Sequence, residues 1–430
     1  MSVSSLWRGF SSTAKSCSKV ANARKVPRKS APRSLRPSTL SNSSAECGSI
    51  VIPTRSNRRQ PKLTYVSENK FHLPADHEWS LAFPTSGAFN NRVLLRNHES
   101  AARVAEAFVP AGCRDKVIVE AFPGPGVLTR ALMDLPKERI RKIIVLEHLE
   151  PYLDFLRPLQ EADPRVEVLP LDGFSWNSYQ ELESRGSLND VETVPWDKTH
   201  PHMHFIAHLP TSVYGEQLLA QFLRLIPDGG WLFQYGRVPM SYVMHDWLWE
   251  RASATTESYN RCKLSVIAQA VASFGEPLSP DALLPYDKHF WPSGMLSGDN
   301  RFKVTPMTAV TMNPLEERII EKGMLDKWDY CLRKLFVLKS TNLKRAISHL
   351  APGSSILLSY LTNPSLPADH PTRTDVQKLV RQMEVTDWAA VVRAFDAWPF
   401  APEVSLSSAP SLWTLPLTDL LITEPFSHER

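Results

Sequence analysis

At 430 residues, 43% apolar and 22% charged, the chain can hold two or three domains with a sizeable core. It has no apolar run approaching the ~20 residues of a membrane span. Its five cysteines (Cys17, Cys47, Cys113, Cys262, Cys331) are scattered without a Cys-x-x-Cys pair, which argues against a zinc site or a disulfide framework. The net charge of +4 hides an asymmetry. Residues 1–62 carry 13 Lys/Arg and one acid, Glu46, so of the 49 basic and 45 acidic residues 36 and 44 fall in 63–430, a net of −8. A body that acidic binds a polyanion only if its cations gather in one groove.

The N-terminal segment is rich in Ser, Lys and Arg and opens with Leu6, Trp7 and Phe10 at helical spacing. That composition is expected of a mitochondrial presequence, with a basic tail that touches nucleic acid as the alternative. Next, 99–108 has helical spacing. The stretch that organises the rest is Lys116–Arg130: an apolar strand ending in Glu120, a turn with Gly124 and Gly126, then a helix start. Such a turn lets a ligand approach the main chain closely.

The pattern then repeats. Strands are expected at 142–147, 165–170, 204–209 and 230–235, with helices at 148–163, 215–225 and 261–274 between or after them, and a polar loop with a short helix at 175–200. Alternation of this kind predicts parallel βαβ units. A late strand at 303–312 closes the sheet as a hairpin-like pair, which fits a methyltransferase sheet better than a dehydrogenase. From Pro314 the character changes, and helices are expected at 324–339, 341–350, 372–383 and 387–397. Arg333, Lys334, Lys339, Lys344 and Arg345 cluster there, as either a solvated face or a nucleic-acid or partner surface.

Three acids, Glu120, Glu147 and Asp172, fall at the ends of consecutive expected strands, the ligand edge of a doubly wound sheet. Glu147 lies 21 residues after Gly126, the offset at which an acid takes ribose hydroxyls. Asp172 would sit beside an adenine, and the two glycines would leave room for the other end of an adenosine ligand.

The run from Glu120 through Pro123-Gly124-Pro125-Gly126 to Leu128-Thr129-Arg130 resembles the first motif of the ribosomal RNA adenine N6-dimethyltransferases. The resemblance continues through Arg92–Asn97, Glu147, Asp172, Leu209-Pro210, Lys263–Gln269, Phe290-Trp-Pro292, Lys303-Val, Ala309-Val310, Arg381–Trp388 and Ala394–Phe400. It implies an α/β, doubly wound, Rossmann-like methyltransferase domain over 76–313 and a helical domain over 314–402. A presequence and linker (1–75) precede them and a tail (403–430) follows. It also implies S-adenosylmethionine as cofactor, with Glu120, Gly124, Gly126, Glu147, Asp172 and His208 around it and no metal.

The family's acceptor motif reads Asn-Leu-Pro-Tyr, and this chain reads His208-Leu209-Pro210-Thr211. In the family the Asn amide and the Pro carbonyl accept from the target amine, and the Tyr ring stacks on the flipped base. Thr211 cannot stack, and His208 offers an acceptor at different reach, if it is not simply a structural imidazole. Phe290 matches the opposite stacking face. A mitochondrial branch of the family serves as transcription initiation factors. The resemblance therefore implies either such a factor or an active dimethylase of the mitochondrial small-subunit rRNA. The factor would be a matrix-located monomer that partners mitochondrial RNA polymerase and promoter DNA. In either case Phe290, Arg333, Lys334, Lys344 and Arg345 would meet nucleic acid, and no membrane contact is expected.

Overall fold

Nine strands are present among the described residues: β1 Leu94–Leu95, β2 Lys116–Ala121, β3 Ile140–Leu146, β4 Val166–Leu169, β5 Met203–His208, β6 Met240–His245, β7 Ala272–Gly275, β8 Phe290–Trp291 and β9 Met307–Pro314. They belong to a computed structural model that describes residues 70–404, apart from 90, 294–305, 366 and 368–369. The basic segment as far as 69, the start of the expected 303–312 strand and most of the expected tail lie outside the described residues.

Seven strands form one sheet in the order β4-β3-β2-β5-β6-β9-β7. The first five are parallel, while β9 runs antiparallel to both β6 and β7. β2 and β5 are buried almost throughout, as strands covered by helices on both faces must be. Alternation along β2 sends Val117, Val119 and Ala121 to one apolar cluster and Ile118 to the other. Each fully buried aliphatic side chain of this kind contributes roughly 1.5–3 kcal/mol. Strand order reverses between β2 and β5, so the ligand crevice of such a sheet lies beyond the carboxyl end of β2. This is the expected doubly wound sheet with its late antiparallel pair.

The helices at His98–Phe108 and Val127–Asp134 pack on the Ile118 face. Those at Val213–Leu225 and Lys263–Val271 pack on the Val117 face. The helical region shares that second core: Trp328, Leu332, Leu335, Trp388 and Phe395 belong to the same cluster as Val117. Its main helices are Leu325–Phe336 and Val385–Asp396, joined by short ones at Leu343–Ala346 and Leu357–Leu361.

Two expected elements differ. Residues 230–235 form a 3-10 turn, Trp231–Tyr235, and the fifth strand is β6. Gly229, Trp231 and Gly236 all have positive φ, 65°, 56° and 123°, which no strand tolerates. The Trp231 ring instead stacks on Phe222 at 4.4 Å. Residues 372–383 hold only a 3-10 turn, Val380–Gln382. Their backbone pairs with 339–344 instead: Lys344 N–H donates to Val376 O, and Arg381 N–H to Lys339 O. The helix expected over 261–274 ends at Val271, because the chain turns there into β7.

Candidate functional site

The turn after β2 carries positive φ at Phe122 (60°), Gly124 (62°) and Gly126 (83°), and Gly126 caps the helix Val127–Asp134. Glycine is required at 124 for a second reason. A Cβ there would collide with the side chain of Leu94. The close approach the sequence predicts exists, but the visitor is the chain itself.

Glu120 sits within β2 and is buried. Its Oε2 accepts from Thr129 Oγ1 at 2.7 Å, while Oε1 has no partner among the described residues. Burial, only partly countered by that hydrogen bond, pushes the carboxyl up to about 7. Glu147 follows β3 and is also buried. Its Oε1 accepts from the backbone N–H of His148 (3.0 Å) and Leu149 (3.2 Å), and its Oε2 from Gly124 N–H (3.3 Å). Arg92 then closes the site, with Nη2 2.6 Å from Oε2 and Nη1 3.5 Å from Oε1. The guanidinium lies over the rings of Phe122 (5.2 Å) and Tyr152 (5.4 Å). Burial works against its charge, but Glu147 more than offsets this and holds its pKa above the usual value. Asp172 lies three residues past β4, half-buried, accepting from Phe174 N–H at 2.9 Å. His148 Nδ1 stands 3.7 Å from Asp172 and 3.9 Å from Glu147, so these two acids flank one imidazole.

His208 ends β5, buried, with both ring nitrogens lacking a partner among the described residues. Burial, with the Arg92 charge second, brings its pKa down to about 3, so the ring is neutral. Leu209 is buried and its N–H donates to Val243 O. A Cβ on Gly215 would run into the Pro210 carbonyl, so that oxygen is packed against the next helix. Thr211 donates to Asn91 O from both its N–H (2.9 Å) and its Oγ1 (3.2 Å). The acceptor motif is thereby tied to the residue before Arg92. Tyr214 turns its ring edge to Phe174 at 6.1 Å.

Phe290 corrects an expectation. It belongs to β8, which pairs with β1, and its ring is fully buried beside Tyr286 at 5.3 Å. It offers no face to a base. The basic residues do reach solvent: Arg333 and Lys334 in the last turn of Leu325–Phe336, Lys344 and Arg345 on the short helix after it. Among the described residues none of the four has a carboxylate within ion-pair distance, whereas nearby Arg224 and Lys263 share Asp329 and Lys378 pairs with Asp387. Lys339 Nζ lies 4.3 Å from the ring centroid of Tyr259, which is 74% exposed. Neither Tyr259 nor the role of Arg92 is marked by a pattern in the sequence. A lone tyrosine in a polar loop carries no pattern. Arg92 was marked only as the first residue of the Arg92–Asn97 stretch in the resemblance, a charge beside the apolar run Val93-Leu94-Leu95, with no sign of its partner.

The family model described as ribosomal RNA adenine dimethylase matches residues 92–366. Mitochondrial transcription factor 1 of Lachancea kluyveri is 25% identical over 301 residues, 67% of this chain and 82% of that protein. The mitochondrial dimethyladenosine transferase 1 of Xenopus tropicalis is 29% identical over 214 residues, 49% of this chain and 55% of that one. A solved dimethyladenosine transferase from Plasmodium falciparum is 15% identical, with a TM-score of 0.45 over 70% of this chain and 97% of that one.

Proposed function

The chain belongs to the ribosomal RNA adenine dimethylase family, and we propose that within it this protein is a mitochondrial transcription initiation factor. It acts in the matrix, joins a mitochondrial RNA polymerase and helps it recognise and melt promoter DNA. The observation that carries this reading is the state of the acceptor half of the site. Thr211 has no ring to stack on a base, it is bonded to Asn91, and Phe290 is buried. Base stacking is worth ~1–3 kcal/mol per base, and an enzyme that flips its substrate needs that clamp. The transcription factor from Lachancea kluyveri also aligns over more of this chain than the transferase does.

The nucleic-acid surface in this reading is the helical region. Arg333, Lys334, Lys344 and Arg345 offer charge with no carboxylate among the described residues at ion-pair distance, and Tyr259 offers an exposed ring beside Lys339. A separated strand needs only those two things, cations for phosphates and a stacking face.

The second reading is an active dimethylase of the mitochondrial small-subunit rRNA. It is favoured by three buried polar atoms without partners among the described residues, Glu120 Oε1 and both His208 nitrogens. Leaving such atoms unmet costs about 1–3 kcal/mol each, and a polar ligand beside them would recover it. On that observation the residues fit S-adenosylmethionine. Glu147 would take the ribose, Asp172 the adenine, and Glu120 and the Gly124–Gly126 turn would stand beside the remainder. Bound there, the cofactor would supply an electrophilic methyl group. His208, neutral at physiological pH, could accept a hydrogen bond but would not carry a charge.

One pair of assays separates the readings. The full chain is given labelled S-adenosylmethionine and a small-subunit rRNA 3′ hairpin, and in parallel the cognate polymerase and a promoter template. Promoter-specific run-off without dimethyladenosine supports the factor. Dimethyladenosine at an enzyme-like rate overturns it.

A further inference from the structure

The segment 91–96 is pinned along its length. Asn91 O accepts twice from Thr211, β1 pairs with β8, and Arg96 N–H donates to His289 O at 2.9 Å. In an extended segment residues two apart point the same way, so Arg92 and Leu94 enter the site side by side. Leu94 lies against Gly124, and Arg92 reaches Glu147.

Glu147 is thereby saturated. Among the described residues three backbone N–H groups and one guanidinium supply all the donors its two oxygens receive, and the side chain is fully buried. No lone pair is left for ribose hydroxyls while Arg92 stays. The Arg92 side chain is itself 7% exposed and held between two rings. Glu120 and His208, by contrast, keep atoms unmet among the described residues. One end of the site thus keeps polar atoms unmet among the described residues, and the other is filled by the chain.

We propose that Arg92 sets the affinity of this site for its adenosine ligand, by holding the ribose-binding carboxylate of Glu147 until the ligand displaces it. The proposal rests on the reading of the crevice as an S-adenosylmethionine site. Binding then requires the guanidinium to leave, and the apparent dissociation constant rises as the reciprocal of the fraction of molecules in which it has left. A buried bidentate pair keeps that fraction small. The consequence is a protein that keeps the cofactor fold while standing mostly without the cofactor.

The test is calorimetric titration of the full chain with S-adenosylhomocysteine, which carries the same adenosine, for the wild type, Arg92→Gln and Arg92→Lys. Arg92→Gln should bind at least about tenfold tighter than wild type, the population effect of an opened site. Arg92→Lys keeps the charge inside but bonds to one oxygen rather than two, so its affinity should fall between. It also preserves the test if the Gln variant does not fold. Equal or weaker binding by the folded variants overturns the proposal alone: a residue that only supported the fold would lose stability without gaining affinity. No binding by wild type or either variant overturns it together with the adenosine-site reading beneath it.

Discussion

Thr211 has no ring to stack on a base, and the neutral His208 of the same motif offers a single hydrogen-bond acceptor and no charge. If the missing clamp is what separates this chain from a methylase, His208→Asn with Thr211→Tyr should raise residual methylation of the rRNA hairpin by tenfold or more, about the 1–3 kcal/mol of one stacked base. Unchanged methylation in a folded double variant would count against the clamp as the cause. Glu120 gives a second handle. Its carboxyl ordinarily titrates near 4.5 and is pushed to about 7 in the folded protein, by burial above all. The folded state therefore holds its proton more tightly than the unfolded state, and its contribution to stability is lost as pH rises from about 4.5 to 7. Glu120→Gln removes the charge and keeps the acceptor for Thr129. It should be more stable than wild type at pH 8 by up to roughly 3 kcal/mol, at 1.36 kcal/mol per unit, and equal to it at pH 4. Urea unfolding at both pH values checks this, and a difference independent of pH would refute it. All three residues were legible in the sequence, because motif position marks Thr211 and His208 and strand-end placement marks Glu120. Arg92 was not legible in its role: its partner lies 55 residues away, and only the fold brings them together.

At the scale of elements, the parallel strands were readable because each is a short apolar run bounded by turns. The same rule failed at 230–235, where Trp231, Leu232 and Phe233 are apolar for a different reason. They form part of an aromatic cluster with Phe222 and Phe205 rather than a sheet rung. Periodicity alone does not separate the two. At 372–383 helical spacing was overridden by pairing with 339–344, a long-range effect that no local window contains. The helix that follows the acceptor motif makes a prediction at this scale. Gly215 packs against the Pro210 carbonyl, so Gly215→Ala must shift either the helix or the motif. Thermal unfolding should show a destabilisation of about 1–3 kcal/mol, the usual range for overpacking. A melting temperature equal to wild type would show that the packing there is not tight.

Across the whole molecule, charge and core point to division of labour. The sheet and the helical region share one apolar cluster, so the basic surface is carried on a rigid support. With 36 basic and 44 acidic residues in 63–430, that surface must act locally. Replacing Lys344 and Arg345 with Gln should lower the salt dependence of single-stranded DNA binding. The slope of log K against log salt should fall by about 0.7 for each phosphate that the variant no longer neutralises. An unchanged slope would place the phosphate-binding cations elsewhere.

On the function proposed above, this member of a methylase family works by opening promoters for a polymerase. Run-off transcription by the cognate mitochondrial RNA polymerase, on one promoter supplied as closed duplex and as a pre-melted bubble, tests it most directly. Specific transcripts are expected from the duplex only when this protein is present, and from the bubble with or without it. Equal transcription of the duplex in its absence would contradict the claim.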